Sequence, residues 1–290
     1  MGLFLACVIS GILQGGTFAL VSLALVLVFR STGTFNVAGG EVMIIPILAV
    51  AMWQKAGLAG WLGVIIALTL GALLSLGLFF IVLRHTIGGD HMIGFVATLG
   101  VAAVMDAVIS LWFGSNRYDL KIPGVPRGTI RFLGIGVSEA DIAVGVVAYG
   151  VCITMLLVMQ YTGLGIRIRA TGQMAALASQ RGINVRSIYY GCWALAGALG
   201  AFAGLSYAAT NIVDSNTVVL GLAALPAIIL GGLDSFTGAV VGGLIIGLFQ
   251  AFLTTYIGGQ YVTPGTYTIL FLVLMVWPSG LFGSRIVERL

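Results

Sequence analysis

Charge is what this sequence has least of. Of its 290 residues, 13 are Lys or Arg and 9 are Asp or Glu, 8% in all, against roughly 25% in an ordinary soluble domain. A soluble globular fold is thereby excluded. Histidine occurs twice and cysteine three times. Cys7, Cys152 and Cys192 all sit in apolar runs, so they read as small buried hydrophobes and not as a disulfide or metal site. His85 and His91 flank a turn containing Gly88, Gly89 and Asp90 and have no further ligands nearby, so a solvated turn is expected and no metal. The patterns G-x-x-x-x-G-K-[ST], G-x-S-x-G, H-E-x-x-H and C-x-x-C are all missing, which leaves ATP binding by this chain, hydrolysis, zinc and thiol chemistry without support. No cofactor is implied. The basic residues are scattered at the ends of apolar runs and form no patch, which argues against nucleic acid. The longest polar stretch, Asn116 to Asp141, covers only 26 residues, too few for a nucleotide-binding domain. Met1 leads into an apolar run without a basic region, so a retained helix is expected and not a signal peptide.

What is abundant is hydrophobic residue, 60% of the chain, and glycine, 43 residues, about twice the usual share. Small residues let transmembrane helices approach closely. The composition therefore predicts an all-α polytopic membrane bundle, surrounded by lipid, forming a single transmembrane domain over residues 1–290. Breaking the sequence at charges and turn residues gives nine segments: Leu3 to Phe29, Asn36 to Trp53, Trp61 to Leu83, Met92 to Phe113, Ile142 to Tyr161, Ile188 to Thr210, Val218 to Leu230, Phe236 to Ile257 and Tyr267 to Phe282. Eight or nine crossings are expected, depending on whether Asn36 to Trp53 and Val218 to Leu230 span or re-enter. The first carries Gly39, Gly40, Glu41 and Pro46; the second is short and contains Pro226. Both read as short or broken helices, and irregular backbone at membrane depth persists only beside protein or a water-filled cavity. They are the best pointers to a transport path, with Asn36, Gly39, Gly40, Glu41, Pro46 and Pro226 as candidate path or gating residues. In each half a long segment precedes the broken one and a Gly-rich one follows, which predicts an inverted repeat of residues 1–115 and 186–285 about a cytoplasmic segment 162–187.

With the N-terminus outside, the inner loops hold Arg30, Arg84, Arg167, Arg169, Arg181, Arg186, Arg285 and Arg289, while the outer loops hold Lys55, Arg117, Lys121, Arg127 and Arg131. The positive-inside rule favours that orientation. Glu41 and Asp106 are the acids within hydrophobic segments. Glu41 either faces a pore or caps freed backbone N–H groups. Asp106 either faces a cavity or accepts an interhelical hydrogen bond. The inner stretch TGLGIRIRATGQMAALASQRGINVRS, Thr162 to Ser187, has a basic entry, an Ala-rich helical piece from Gln173 to Gln180 and a stop at Gly182. Its two readings are a docking element for a soluble partner and an ordinary connection.

The run Thr34-Phe-Asn-Val-Ala-Gly-Gly-Glu41, the segment Gly165 to Val185 and the Gly-rich run Gly231 to Gly243 resemble the branched-chain amino acid ABC transporter permeases of the leucine-isoleucine-valine type, over nearly the whole chain. The resemblance implies a bacterial inner-membrane import subunit without chemistry of its own. It would pair with a second permease, identical or homologous, two cytoplasmic ATPase subunits and a periplasmic solute-binding protein. It also implies that Arg167 to Asn184 is the ATPase coupling segment, with Arg167, Arg169, Gln173, Ala175, Ala176, Ala178, Arg181, Gly182 and Asn184 as coupling residues. The sequence departs from the pattern at two places. Gly39 stands where many members have His, which leaves urea, short amides and other small polar solutes open beside branched-chain amino acids. Gln173 and Met174 stand where acidic or amide residues are common. A stand-alone secondary transporter or channel is the alternative, and an intramembrane enzyme would need a catalytic pair that Glu41 and Asp106 supply poorly.

Overall fold

A computed structural model describes residues 2–55, 57, 60–82, 84, 91–114, 116–132 and 135–283. His85, Gly88, Gly89, Asp90, Arg285 and Arg289 lie outside the described residues. Twelve helices are described: α1 (Gly2–Thr32), α2 (Gly39–Lys55), α3 (Trp61–Ile81), α4 (His91–Phe113), α5 (Glu139–Tyr161), α6 (Gly163–Gln173), α7 (Ala175–Gln180), α8 (Val185–Thr210), α9 (Val219–Ala223), α10 (Leu225–Gly231), α11 (Phe236–Phe252) and α12 (Val262–Val276). Seven helical segments are long and apolar enough to cross a membrane. With α2 and the interrupted stretch from Ser215 to Gly231 they make nine apolar elements.

The longest apolar run becomes the axis of the bundle. α1 is 31 residues long, about 46 Å at 1.5 Å per residue, and 78% of its most apolar window is buried, against 11% for the stretch that includes α12. α1 packs chiefly on α11, and α3 chiefly on α8. Glycine permits both approaches: a Cβ at Gly11 would lie 2.8 Å from the Leu248 Cα, and one at Gly71 would lie 2.5 Å from the Gly197 carbonyl oxygen. The helix before the first short segment thus lies against the helix after the second, and the helix before the second lies against the helix after the first.

Contacts between loops define two ends. At one, Arg30 Nη1 donates to the Asp234 carbonyl, Gly172 sits against the Arg30 carbonyl, and Phe282 N–H donates to Gly231 O at 2.9 Å. At the other, Gln54 Nε2 donates to Lys121 O at 2.9 Å, and Tyr118 and Val213 exchange backbone hydrogen bonds of 2.8 and 2.9 Å. Arg30, Arg84, Arg167, Arg169, Arg181 and Arg186 belong to the first end; Lys55, Arg117, Lys121 and Arg127 belong to the second.

The structure differs from the expectations at four places. The chain is nearly but not wholly α, because β1 (Thr129–Phe132) and β2 (Ile135–Ser138) form an antiparallel hairpin pairing Thr129 with Ser138; β-branched Thr129 and Ile130 suit an extended strand. α2 is short, at 17 residues, yet unbroken through Pro46, because burial of Met43, Ile44, Ile47 and Leu48 holds the helix where propensity does not. α12 starts at Val262 and not Tyr267; Pro264 falls in its first turn, where an N–H has no intrahelical partner to lose, and Pro278 follows its end. The inner segment holds two helices instead of one, with α6 running through Gln173 and α7 starting at Ala175.

Candidate functional site

Of the candidate path residues, Gly39, Gly40 and Glu41 lie where the two short segments cross, whereas Pro46 and Pro226 lie farther along their helices. α1 stops at Gly33, whose φ is +71°, and the chain from there to α2 is pinned by α4: the Val37 N–H donates to Thr98 Oγ1 at 3.4 Å, and that hydroxyl lies 3.2 Å from the Phe35 carbonyl. This delivers Asn36 buried, with Oδ1 lacking a partner among the described residues, and places Gly39, Gly40 and Glu41 in the first turn of α2. The second segment is anchored by the Tyr118–Val213 bridge and opened by Asp214, whose N–H donates to Thr217 Oγ1 at 3.0 Å. It continues as a 3-10 turn from Ser215 to Val218, then α9, then α10. Pro226, second residue of α10, lacks the N–H that would meet the Leu222 carbonyl one turn back. The Tyr267 hydroxyl of α12 approaches that carbonyl instead, at 3.5 Å. Only glycine fits the crossing itself: a Cβ at Gly221 would lie 2.8 Å from Gly40 N, and one at Gly40 would lie 2.7 Å from Val218 O.

Two cavities flank α9. One, of about 400 Å³, is lined by Glu41, Asp106, Ser110, Ser215 and Asn216, with Leu99, Val219 and Leu222 among its apolar walls. Glu41 is 7% exposed, and its Oε2 has no hydrogen-bond partner among the described residues. Asp106 is exposed on α4, roughly 10 Å inside that helix's end at Phe113 by helical rise, and makes no hydrogen bond among the described residues; the interhelical bond weighed above is not what it forms. The other cavity, of about 250 Å³, is lined by Gln14, Thr17, Asp141, Tyr207, Asn211 and Gln250. Sequence reasoning passed over these groups, although Gln14 and Gln250 interrupting long apolar runs were a signal. Pro46 is buried within α2, away from both linings.

In the inner segment, Arg167, Gln173, Ala176, Arg181, Gly182 and Asn184 are exposed, and Ala175 is half-buried. Arg169 turns inward, donating to the Met159 carbonyl. Ala178, 5% exposed, packs inside the chain. Asn184 caps α8 by accepting from Ser187 N–H at 3.2 Å. Gly182, with φ +79°, closes α7 in a left-handed turn in which Ile183 N–H donates to Ala178 O at 3.1 Å, a geometry costly for any side chain. Met174, noted above only as a departure from the family pattern, and Leu177, not singled out, are 64% and 53% exposed.

Residues 7–277 match the family described as "Branched-chain amino acid transport system / permease component". The chain belongs to this family. The high-affinity branched-chain amino acid transport system permease protein LivH of Escherichia coli (strain K12) is 24% identical over 302 residues, covering 99% of this chain and 97% of that protein. The corresponding permease protein BraD of Pseudomonas aeruginosa is 26% identical, covering 99% and 98%. A fructose import permease protein, FruF of Bifidobacterium longum, is 24% identical, covering 91% and 74%. Among solved structures, PsaBC from Streptococcus pneumoniae in complex with Fab superimposes with a TM-score of 0.52 at 14% identity, covering 91% of this chain and 90% of that one, which shows a shared fold. This permease is a multi-pass protein of the inner membrane.

Proposed function

We propose that this permease forms one half of the membrane path of an ATP-driven importer for branched-chain amino acids or a related small polar solute, urea and short amides included. The observation that carries the reading is the carboxylate-lined cavity beside the crossing of α2 and α9. A carboxylate facing acyl chains costs about 2.5–3.5 kcal/mol on insertion scales, so the face that exposes Asp106 belongs against water or protein, and a second permease would cover it. The exchange of helix partners, α1 with α11 and α8 with α3, is what a two-fold axis in the membrane plane produces, and it supports an inverted repeat of residues 1–115 and 186–285.

The partners would be two cytoplasmic ATPase subunits and a periplasmic solute-binding protein as well as the second permease. α6 and α7 lie at the Arg-rich end, where exposed Met174 and Leu177 are too apolar to be left to water beside Arg167 and Arg181. They support docking of the ATPase on segment 162–187. ATP turnover on the partner would then switch the permease between two states, and a ligand shifts that equilibrium only by its differential affinity for them. The chain itself performs no chemistry. Co-expression with candidate ATPase subunits, followed by co-purification and solute-stimulated ATP hydrolysis in proteoliposomes, tests the reading. A chain that carries solute in vesicles without either would be the secondary transporter.

A further inference from the structure

We infer that the cavity between the end of α3, α7 and the start of α8 holds the phosphate headgroup of an anionic phospholipid drawn from the membrane leaflet at the Arg-rich end. The site lies apart from the crossing and serves whichever solute is carried. The cavity, of about 590 Å³, is lined by Arg84 and Arg186 and, among the described residues, by no Asp or Glu. Neither guanidinium makes a hydrogen bond or ion pair among the described residues. Arg186 is also the second residue of α8, where the helix dipole repels a cation, and an anion beside it would offset that cost. Two guanidiniums suit a phosphate, whose oxygens accept their N–H groups in pairs. Tyr189 and Tyr190 add hydroxyls that make no hydrogen bond among the described residues. The walls choose between a lipid and a soluble phosphate. About 590 Å³ falls within the range of small-molecule sites and exceeds what a free phosphate ion fills. Phe79 and Tyr190 meet edge to face with ring centroids 5.3 Å apart, and Phe80 continues that aromatic surface, 5.0 Å from Tyr190. Phe80 and Ile81 are 43% and 75% exposed at the end of a helix whose most apolar window is only 28% buried, so this face is open to acyl chains. A headgroup in the cavity leaves its chains against Phe80 and Ile81, a surface from which a soluble anion gains nothing. Basic pockets between membrane-spanning helices are suited to anionic headgroups. An ethanolamine or choline headgroup would bring a cation beside two arginines with no carboxylate among the described lining to receive it.

The test titrates the intact, delipidated permease in detergent with phosphatidylglycerol, cardiolipin, phosphatidylethanolamine and phosphatidylcholine, and separately with inorganic phosphate and glycerol phosphate. Native mass spectrometry reads lipid retention and thermal melting reads the stabilisation that binding to the folded state confers. Phosphatidylglycerol and cardiolipin should be retained and raise the melting temperature, phosphatidylethanolamine and phosphatidylcholine should be retained about tenfold more weakly, and the two soluble phosphates should do neither. Arg84→Gln and Arg186→Gln should each weaken the anionic lipids by about tenfold, the loss of one charged hydrogen-bonding partner, and the double variant should lose the preference over phosphatidylcholine. Tyr190→Phe keeps the ring contacts and removes one donor, so it should weaken them by about threefold and supplies a second reading should an arginine variant fold poorly. Lipid-free melting temperatures close to wild type exclude a folding defect. Arg181→Gln removes an exposed charge from the same end but not from the lining, and lipid retention should change by less than about twofold. Undiminished preference for anionic lipid in the double variant, an equal loss from Arg181→Gln, equal retention of phosphatidylcholine by the wild type, or the same stabilisation from inorganic phosphate or glycerol phosphate would each overturn the lipid site.

Discussion

α2 and the stretch from Ser215 to Gly231 are the same length, follow a long helix and precede a glycine-rich one, and each contains a buried proline, yet they end up unlike. α2 stays a single helix through Pro46; its counterpart divides into a 3-10 turn, α9 and α10. Surroundings account for the difference better than proline does. α2 is packed on α3, α8 and α9 and buries Met43, Ile44, Ile47 and Leu48, whereas α9 has a cavity on either side and carries the small residues Gly221 and Ala223. Irregular backbone is tolerated where a polar cavity or a neighbour meets the freed groups. α2 thus behaves as wall and the second segment as the deformable element.

The sharpest way to break that comparison is at the crossing. Gly221→Val would drive a branched side chain into α2 at Gly40, at a cost of about 1–3 kcal/mol or more, and uptake should be lost. Gly200→Ala on α8, where an added Cβ meets nothing within 4 Å, should instead stabilise by about 0.5–1 kcal/mol. Thermal melting of the two purified variants beside uptake in cells separates the cases; equal damage from both would mean that glycine serves only general packing.

Next in size is the carboxylate on the wall. Glu41→Gln keeps shape and hydrogen-bonding capacity but removes charge, so uptake should fall by about tenfold while the amount of protein in the membrane holds. Uptake unchanged for every solute would reassign Glu41 to the start of α2 as a purely structural group.

The inner segment shows what was legible in the sequence and what was not. Apolar runs announced the nine apolar elements, because their length and hydropathy are local properties. α6 was not visible: Gly163, Gly165 and Gly172 are poor helix residues, and the helix exists because Gly165 and Gly172 admit the carbonyls of Met159 and Arg30, contacts no local pattern encodes. The meeting of Glu41 with Asp106 was equally hidden, since the two lie on different helices and only the fold brings them to one cavity. The Ala-rich character of α7 was plain, but which alanine faces inward was not. Ala178→Leu should therefore destabilise the chain by about 1–3 kcal/mol through overpacking. Leu177→Asp should leave stability within about 0.5 kcal/mol and weaken ATPase association by more than about 1 kcal/mol. Co-purification across a range of ATPase concentrations distinguishes the two, and retention of full affinity by Leu177→Asp would remove α7 from the docking surface.

The smallest effect expected is also the most specific to the second segment. Pro226 leaves the Leu222 carbonyl without its helical donor, and the Tyr267 hydroxyl takes that place at 3.5 Å. A bond so long is weak, so Tyr267→Phe should cost less than about 1 kcal/mol. Pro226→Ala restores an N–H at the position from which a continuous helix would donate to Leu222, so in that background the tyrosine has nothing left to supply. Tyr267→Phe should then be neutral, and the double-mutant cycle should return a coupling of about 0.5 kcal/mol. Pro226→Ala alone should also slow transport if the interruption is what lets the segment move between its two cavities. Additive effects in melting experiments would show that α12 does not compensate the break, and the deformability of the segment would then have to come from its cavities alone.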